Sequence, residues 1–276
     1  ILRNGFENMS RINNTQKGDY SVRYDKNVYI LQDFTKGKVC EIRDEKAAEA
    51  VGRALAELHR AGVGFVPAPG SRARVDWGKW MDKFKVNSMS MIKYKEYTAQ
   101  KKEKTRFDKL FEKNVDSCYE RMFNSYLILK KYNYIEKVRQ AMACNQITHS
   151  EFKKHAIMQQ DKEDIFITDF ENCSYDICEC DIATLLDSFS GKNKVRLVEA
   201  AVNGYSSIKP LDICSIKIIE AFLLSPKRFF RVVENYYGKK KNYNEFELSK
   251  KLERSIRREE RKRDVLEFLH SIADGT

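Results

Sequence analysis

Two short acidic segments, His149-Ser150-Glu151 and Asp169-Phe170-Glu171, place Asp169 eighteen positions after Glu151. The stretch between them ends in Ile165-Phe166-Ile167-Thr168, an apolar, β-branched run that reads as a strand. Eighteen positions are enough for a loop, a short strand, a turn and this second strand. The carboxylate of Asp169 then follows directly on the strand, and Glu171 comes at the alternate position on the same face. Whatever surrounds it, the chain has to fold around a loop-strand-turn-strand unit that carries acidic side chains at both ends.

That frame suits phosphoryl transfer. In the kinase template a base Asp follows a His, an Asn five residues later holds a metal ion, and a later Asp after a strand holds metal on the nucleotide phosphates. Here the base position is Glu151 and the Asn position is Ala156. Asp169 is the strongest single candidate, a carboxylate placed to bind Mg²⁺ on phosphate oxygens, with Glu171 as a second metal-side carboxylate. The plainer alternative for both is a structural acid. Glu151 is one methylene longer than Asp, and a misplacement of about 1 Å can cost about 10²-fold in rate, so it reads as a degenerate base. His149 reads as a loop organiser whose imidazole bonds to backbone near Asp169. Asp181 opens the next helix and either caps it or holds the loop. Of the histidines at 59, 149, 155 and 270, only His149 and His155 fall in a plausible site. Ala156 offers no oxygen to a metal, and no G-x-G-x-x-G or G-x-x-x-x-G-K-[ST] motif is present.

With 276 residues, 42% hydrophobic and 33% charged, the chain has a globular rather than disordered balance. Its longest apolar runs, such as 216–224, fall well short of the roughly 20 residues a membrane span needs, so no membrane partner is expected. Seven irregularly spaced cysteines argue for reduced, structural thiols rather than disulfides or zinc. The net charge of +11 is concentrated in 79–113 and 239–263, each with eleven Lys/Arg against five Asp/Glu. Interleaved acids such as Glu253, Glu259 and Glu260 suit pairing along a helix. The plainer reading is solvated helix faces laced with acids. Otherwise the two basic surfaces could attract an acidic protein or an anionic polymer, and nucleic acid is less expected because runs such as Phe229-Phe230-Arg231 suit core better than stacking platforms. The chain opens on Ile1-Leu2-Arg3-Asn4-Gly5, a helix end without an initiator Met, and is read as a fragment.

Residues 1–34 read as β-rich, with runs at 22–24 and 28–34 joined through Asp25-Lys26-Asn27. Beyond Gly37 the pattern turns helical. Asp44 is the expected N-cap of a helix to Ala61, with Ala47, Val51, Leu55 and Leu58 on one face and Gly62 ending it. A loop over 64–75 follows, then helices near 77–102, 105–131, 134–143, 179–190, 193–204, 211–224, 226–237 and 243–272.

Several stretches carry a family likeness. They are Asn4-Gly5-Phe6, Tyr29-Ile30-Leu31-Gln32-Asp33-Phe34-Thr35-Lys36-Gly37, Ala54-Leu55-Ala56-Glu57-Leu58-His59, the 147–157 loop, which lines up with a family loop of the form H-x-D-x-x-x-x-N, Ile167-Thr168-Asp169-Phe170-Glu171 with Asp181-Ile182-Ala183, and Ser225-Pro226-Lys227-Arg228-Phe229-Phe230 with Tyr236-Tyr237. In these the chain resembles the CotS-type spore coat proteins of the aminoglycoside-phosphotransferase/choline-kinase-like superfamily. The resemblance implies an α+β, protein-kinase-like two-lobe fold. Residues 1–36 would be the remnant of a truncated small lobe and hinge, and 37–276 a mostly helical large lobe. It further implies synthesis in the mother-cell cytoplasm, deposition in the spore coat and other coat proteins as partners. If ATP binds, its adenine would lie at the hinge near Asp33 and Phe34, with Mg²⁺ at the Asp169 side. The family's Gly-rich strands and ATP lysine would precede Ile1. Because the sequence departs at Glu151 and Ala156, the expectation is a pseudokinase that acts in coat assembly by binding, with ATP and Mg²⁺ weakly held or lost. The alternative is an active small-molecule phosphotransferase acting on a hydroxyl or amino-sugar substrate.

Overall fold

The computed structural model describes residues 1–34, 37–68, 70–160, 164–189, 191, 194–238 and 244–275. Thr35 and Lys36 of the hinge stretch, and 239–241 of the second basic stretch, lie outside the described residues.

The N-terminal piece is built from short pairings. A turn of 3-10 helix over Leu2–Asn4 closes at Gly5, whose N–H donates to the Leu2 carbonyl and whose φ of 86° turns the chain out of the helix. Strand β1 (Ile12–Asn13) pairs antiparallel with β4 (Leu31–Gln32), and β2 (Val22–Tyr24) with β3 (Asn27–Tyr29). The β2–β3 turn is Asp25-Lys26, at φ 42° and 65°. Two left-handed residues match the twist of the flanking strands. Strand β5 (Lys38–Val39) then leaves this piece to join β8 (Ile157–Gln159), which pairs with β9 (Ile165–Ile167).

Helix α1 (Glu45–Ala61) starts where the Asp44 carboxylate accepts the Ala47 amide at 2.8 Å, and it buries Ala47, Val51, Leu55 and Leu58. The segment expected as loop over 64–75 instead ends in strand β6 (Arg74–Val75), which runs parallel to β10 (Ser174–Tyr175); β10 also pairs antiparallel with β7 (Ile147–Thr148). A two-residue strand whose partner lies a hundred positions away leaves no local alternation to recognise. Helices α2 (Lys79–Ala99), α3 (Arg106–Lys131), α4 (Tyr134–Ala143), α5 (Glu179–Ser188), α6 (Val195–Ser206), α7 (Ile213–Leu224) and α8 (Lys227–Tyr237) follow the sequence pattern closely. The expected helix over 243–272 is two, α9 (Glu245–Glu260) and α10 (Arg263–Asp274). Between them Lys262 is drawn inward, 4% exposed, and its ammonium donates to the Leu223 carbonyl at 3.1 Å. That tertiary pull breaks a run that contains no Gly or Pro.

The core forms where α1 crosses α6 and where α3 packs on α2, α7 and α9. The α8 end is tied to the α2–α3 turn by the Tyr237 hydroxyl, which donates to the buried Asp108 at 2.9 Å, while Tyr236 stacks on Phe107. The aromatic pair of that motif is therefore structural. Among the described residues no helix is long and apolar enough to cross a membrane.

Candidate functional site

The loop from His149 to Ala156 hangs from one buried carboxylate. Asp181, fully buried near the start of α5, accepts the backbone N–H of His149 at 2.7 Å on Oδ2 and that of Ser150 at 2.8 Å on Oδ1. Its Oδ2 also meets His59 Nε2 at 3.1 Å, and His59 Nδ1 lies 2.9 Å from the Tyr205 hydroxyl of α6. The helix cap itself falls on Cys178, so Asp181 holds the loop and does not cap α5. Sequence reasoning placed His59 outside the site. The structure puts it directly behind the loop, and the signal available was a His on the apolar face of α1, one turn beyond Leu55.

Burial works against a charge on His59, but Cys178 and Asp181 outweigh it and raise its pKa to about 9. A raised pKa stabilises the fold fully below the ordinary value of 6.5, and that contribution is lost as pH climbs through about 9. Asp176, pushed up to about 7 by burial, loses stability in the same direction below that value. Lys227, lowered to about 8 by burial, acts in the opposite sense above it. The His59 share is therefore isolated as a difference. Wild-type unfolding free energy should fall relative to His59→Gln between pH 6.5 and 9 in urea titrations; parallel profiles would rule the pairing out.

His149 is buried, and its Nε2–H donates to the Thr168 carbonyl at 2.7 Å, one residue before Asp169. Its ring sits between Phe152 and Phe170, and Nδ1 has no hydrogen-bond partner among the described residues. Ser150, at φ 65°, shares a hydrogen bond of 2.7 Å with the Ser174 hydroxyl. These contacts tie the loop to the β9 end and to β10, and they set where Glu151 and Asp169 emerge.

Glu151 is half exposed. Its carboxylate accepts from Lys153 at 2.9 Å and weakly from Asn172 at 3.5 Å. The Lys153 hydrogen bond holds its pKa below the ordinary carboxylate value, which makes it a weaker base than a free Glu. Ala156 is fully buried and presents only a methyl. Asp169 adopts left-handed backbone (φ 60°, ψ 46°) and is exposed, with His155 Nε2 at 4.0 Å. Glu171 is exposed on the 3-10 turn Phe170–Asn172. Among the described residues, no three His, Cys, Asp or Glu side chains converge as a metal cluster. Asp33 and Phe34 stand apart from these residues. The Asp33 carboxylate accepts from Asn13 at 2.8 Å, and Phe34 is 88% exposed.

Beside Glu151 opens a cavity of about 590 Å³. Lys153, Lys154, Lys227, Arg228, Arg231 and Arg258 line it, with Glu151 and Asp187 as its acids. The Lys227 ammonium lies 4.5 Å from the ring centres of both Trp80 and Phe222. Asp187 is spoken for by Arg258 at 2.8 Å and Arg228 at 3.4 Å, and with Lys262 they hold its carboxyl below the ordinary range despite burial. The chamber next to the loop is thus strongly cationic.

The family described as "Spore coat putative kinase YutH" matches residues 1–269. Among solved structures, an aminoglycoside phosphotransferase from Alicyclobacillus acidocaldarius superposes with a TM-score of 0.84 at 16% identity, over 100% of this chain and 80% of that one. An AMP-bound spectinomycin phosphotransferase gives 0.64 at 15% identity, over 98% and 80%. An ethanolamine kinase from Plasmodium vivax gives 0.52 at 14% identity, over 92% and 69%. At these identities the likeness shows the fold: the chain has the aminoglycoside-phosphotransferase and choline-kinase-like architecture.

Proposed function

The chain belongs to the YutH family of spore coat kinase-like proteins, and from that premise we propose that it works in the spore coat by binding, as a pseudokinase component of coat assembly with other coat proteins as partners. One observation carries this reading. The two loop positions that chemistry tolerates least are both altered, with Glu151 occupied by Lys153 and Asn172, and a buried methyl at Ala156. The donor set fits a metal only on one side. Asp169, with Glu171 nearby, would hold Mg²⁺ against phosphate oxygens of a nucleotide, since Mg²⁺ is commonly bound through one or two carboxylates plus phosphates. The bound ion would neutralise phosphate charge. Asp33 and Phe34 would meet the adenine on the hinge side. Nucleotide retention therefore rests on Asp169, and transfer would rest on Glu151.

A second reading, an active small-molecule phosphotransferase, is favoured by the Glu151 carboxylate opening on the cavity. Calorimetry with Mg²⁺-ATP and a phosphate-release assay separate the two, on wild type, Asp169→Ala, and the pair Glu151→Asp with Ala156→Asn. Under the pseudokinase reading, ATP binding is weak or absent, turnover is at background, and Asp169→Ala removes whatever binding exists. The restored pair is expected to gain turnover of at least tenfold. Wild-type turnover abolished by Asp169→Ala would overturn the pseudokinase reading.

A further inference from the structure

The acids interleaved along α9 do not neutralise the arginines beside them. Glu253 pairs with Arg106 of α3 at 2.5 Å, and Glu259 with Arg121 of α3 at 3.1 Å and with the buried Lys262 at 2.9 Å. The opposite face of α9 is left cationic. There Arg254, Arg257, Arg258 and Arg261 face Arg228 and Arg231 of α8 across a groove of about 730 Å³. Apart from Val232 and Ser255, the lining of this groove is entirely Lys and Arg. Arg231, Arg254, Arg257 and Arg261 make no ion pair among the described residues, and all four are exposed. On the other basic surface, on α2 and α3, Lys95, Lys101 and Lys104 are paired with Asp116, Asp108 and Glu112. The groove adjoins the cavity at Glu151, since Arg228, Arg231 and Arg258 line both.

We propose that this α8–α9 groove binds a phosphate-rich linear polymer, with one end reaching the cavity beside Glu151. Guanidinium forks match phosphate geometry in pairs of hydrogen bonds, and Arg231, Arg254, Arg257 and Arg261, which make no ion pair among the described residues, form the track. From Arg254 to Arg261 the helix rises about 10 Å, longer than one phosphate group spans. A single-stranded nucleic acid would need aromatic platforms for its bases, and the groove lining has none. An acidic peptide would bring backbone and side-chain carbon that Val232 alone cannot cover. The proposal deepens the binding reading above and rests on it only in that the protein holds a ligand; it stands whether or not ATP turns over.

The test uses the whole chain and short-chain inorganic polyphosphate, followed by fluorescence anisotropy at 50 and 200 mM salt. Poly-glutamate and an oligothymidylate of similar charge are measured beside it. Polyphosphate is expected to bind tightest, with affinity falling about 10²-fold between the two salts if four phosphates are neutralised. The triple variant Arg254→Ala/Arg257→Ala/Arg261→Ala should lose at least tenfold and flatten the salt slope by about two units. Its far-UV spectrum and melting point should match wild type, since the three side chains are exposed. A control, Lys95→Ala/Lys104→Ala, should bind as wild type does. Absent binding at low salt, an unaffected triple variant or an equally damaged control would overturn the site. Tighter binding of poly-glutamate or oligothymidylate would overturn the phosphate assignment. The Mg²⁺-ATP measurements report on the loop independently of either result.

Discussion

Replacing Asp181 by alanine is expected to lower unfolding free energy by about 3–5 kcal/mol, the range for removing one partner of a buried charged pair. Three groups lose their acceptor at once: the amides of the buried His149 and the half-buried Ser150, and the fully buried His59 imidazole. Each amide stranded without water costs about 1–3 kcal/mol, so the losses reinforce one another. Asp181→Asn keeps one oxygen of the same shape but turns an NH₂ toward a donor, and it should lose about half as much. Because the loop hangs from this carboxylate, Glu151 and the cavity wall move with it, and any ligand bound there should weaken in parallel. Urea denaturation checks the first effect, and limited proteolysis within 149–156 checks the second. A loss below about 1 kcal/mol for Asp181→Ala would mean the loop is held by something else, such as the His149–Thr168 bond.

The sequence was informative where local pattern and tertiary need agree. Asp44 before an apolar face at 47, 51, 55 and 58 defines α1, and the observed helix follows it residue for residue. The Ile165–Ile167 strand before Asp169 is likewise plain from its apolar run. What escaped was set by distant partners. Strand β6 exists only because β10 lies beside it, and the break at Arg261-Lys262 exists only because Lys262 reaches the Leu223 carbonyl. Charge was the hardest to read. Spacing alone suggests that Glu253 and Glu259 pair along α9; Glu259 does meet Lys262 three positions on, but both acids also bond to arginines of α3, and the α8–α9 groove carries no acid in its lining. The site was half legible for the same reason. Glu151 and Ala156 lie on the loop after β7 and Asp169 follows β9, as local pattern suggests, whereas the His59–Asp181 support joins residues 122 positions apart.

That support depends in turn on how closely α1 and α6 approach. A Cβ on Gly52 would lie 2.1 Å from the Ala201 carbonyl oxygen, and one on Gly204 would lie 2.1 Å from that of Glu49. Ordinary contact begins at about 3.4 Å, and both obstacles are backbone, which cannot rotate away. Gly52→Ala gains about 1 kcal/mol of helix propensity. Overpacking against a fixed neighbour costs about 1–3 kcal/mol and sometimes more. The clash should win, with a net loss of about 2 kcal/mol in denaturant titrations, the upper end of that cost less the propensity gain. Gly204→Ala should cost as much, and the double variant less than the sum, because the first substitution has already separated the helices. Gly204 directly precedes Tyr205, and Gly52 lies two turns before His59, so the same separation stretches the 2.9 Å His59–Tyr205 bond. Stabilisation by the full propensity gain would show that the two helices can part freely, and that this crossing does not set the position of the loop.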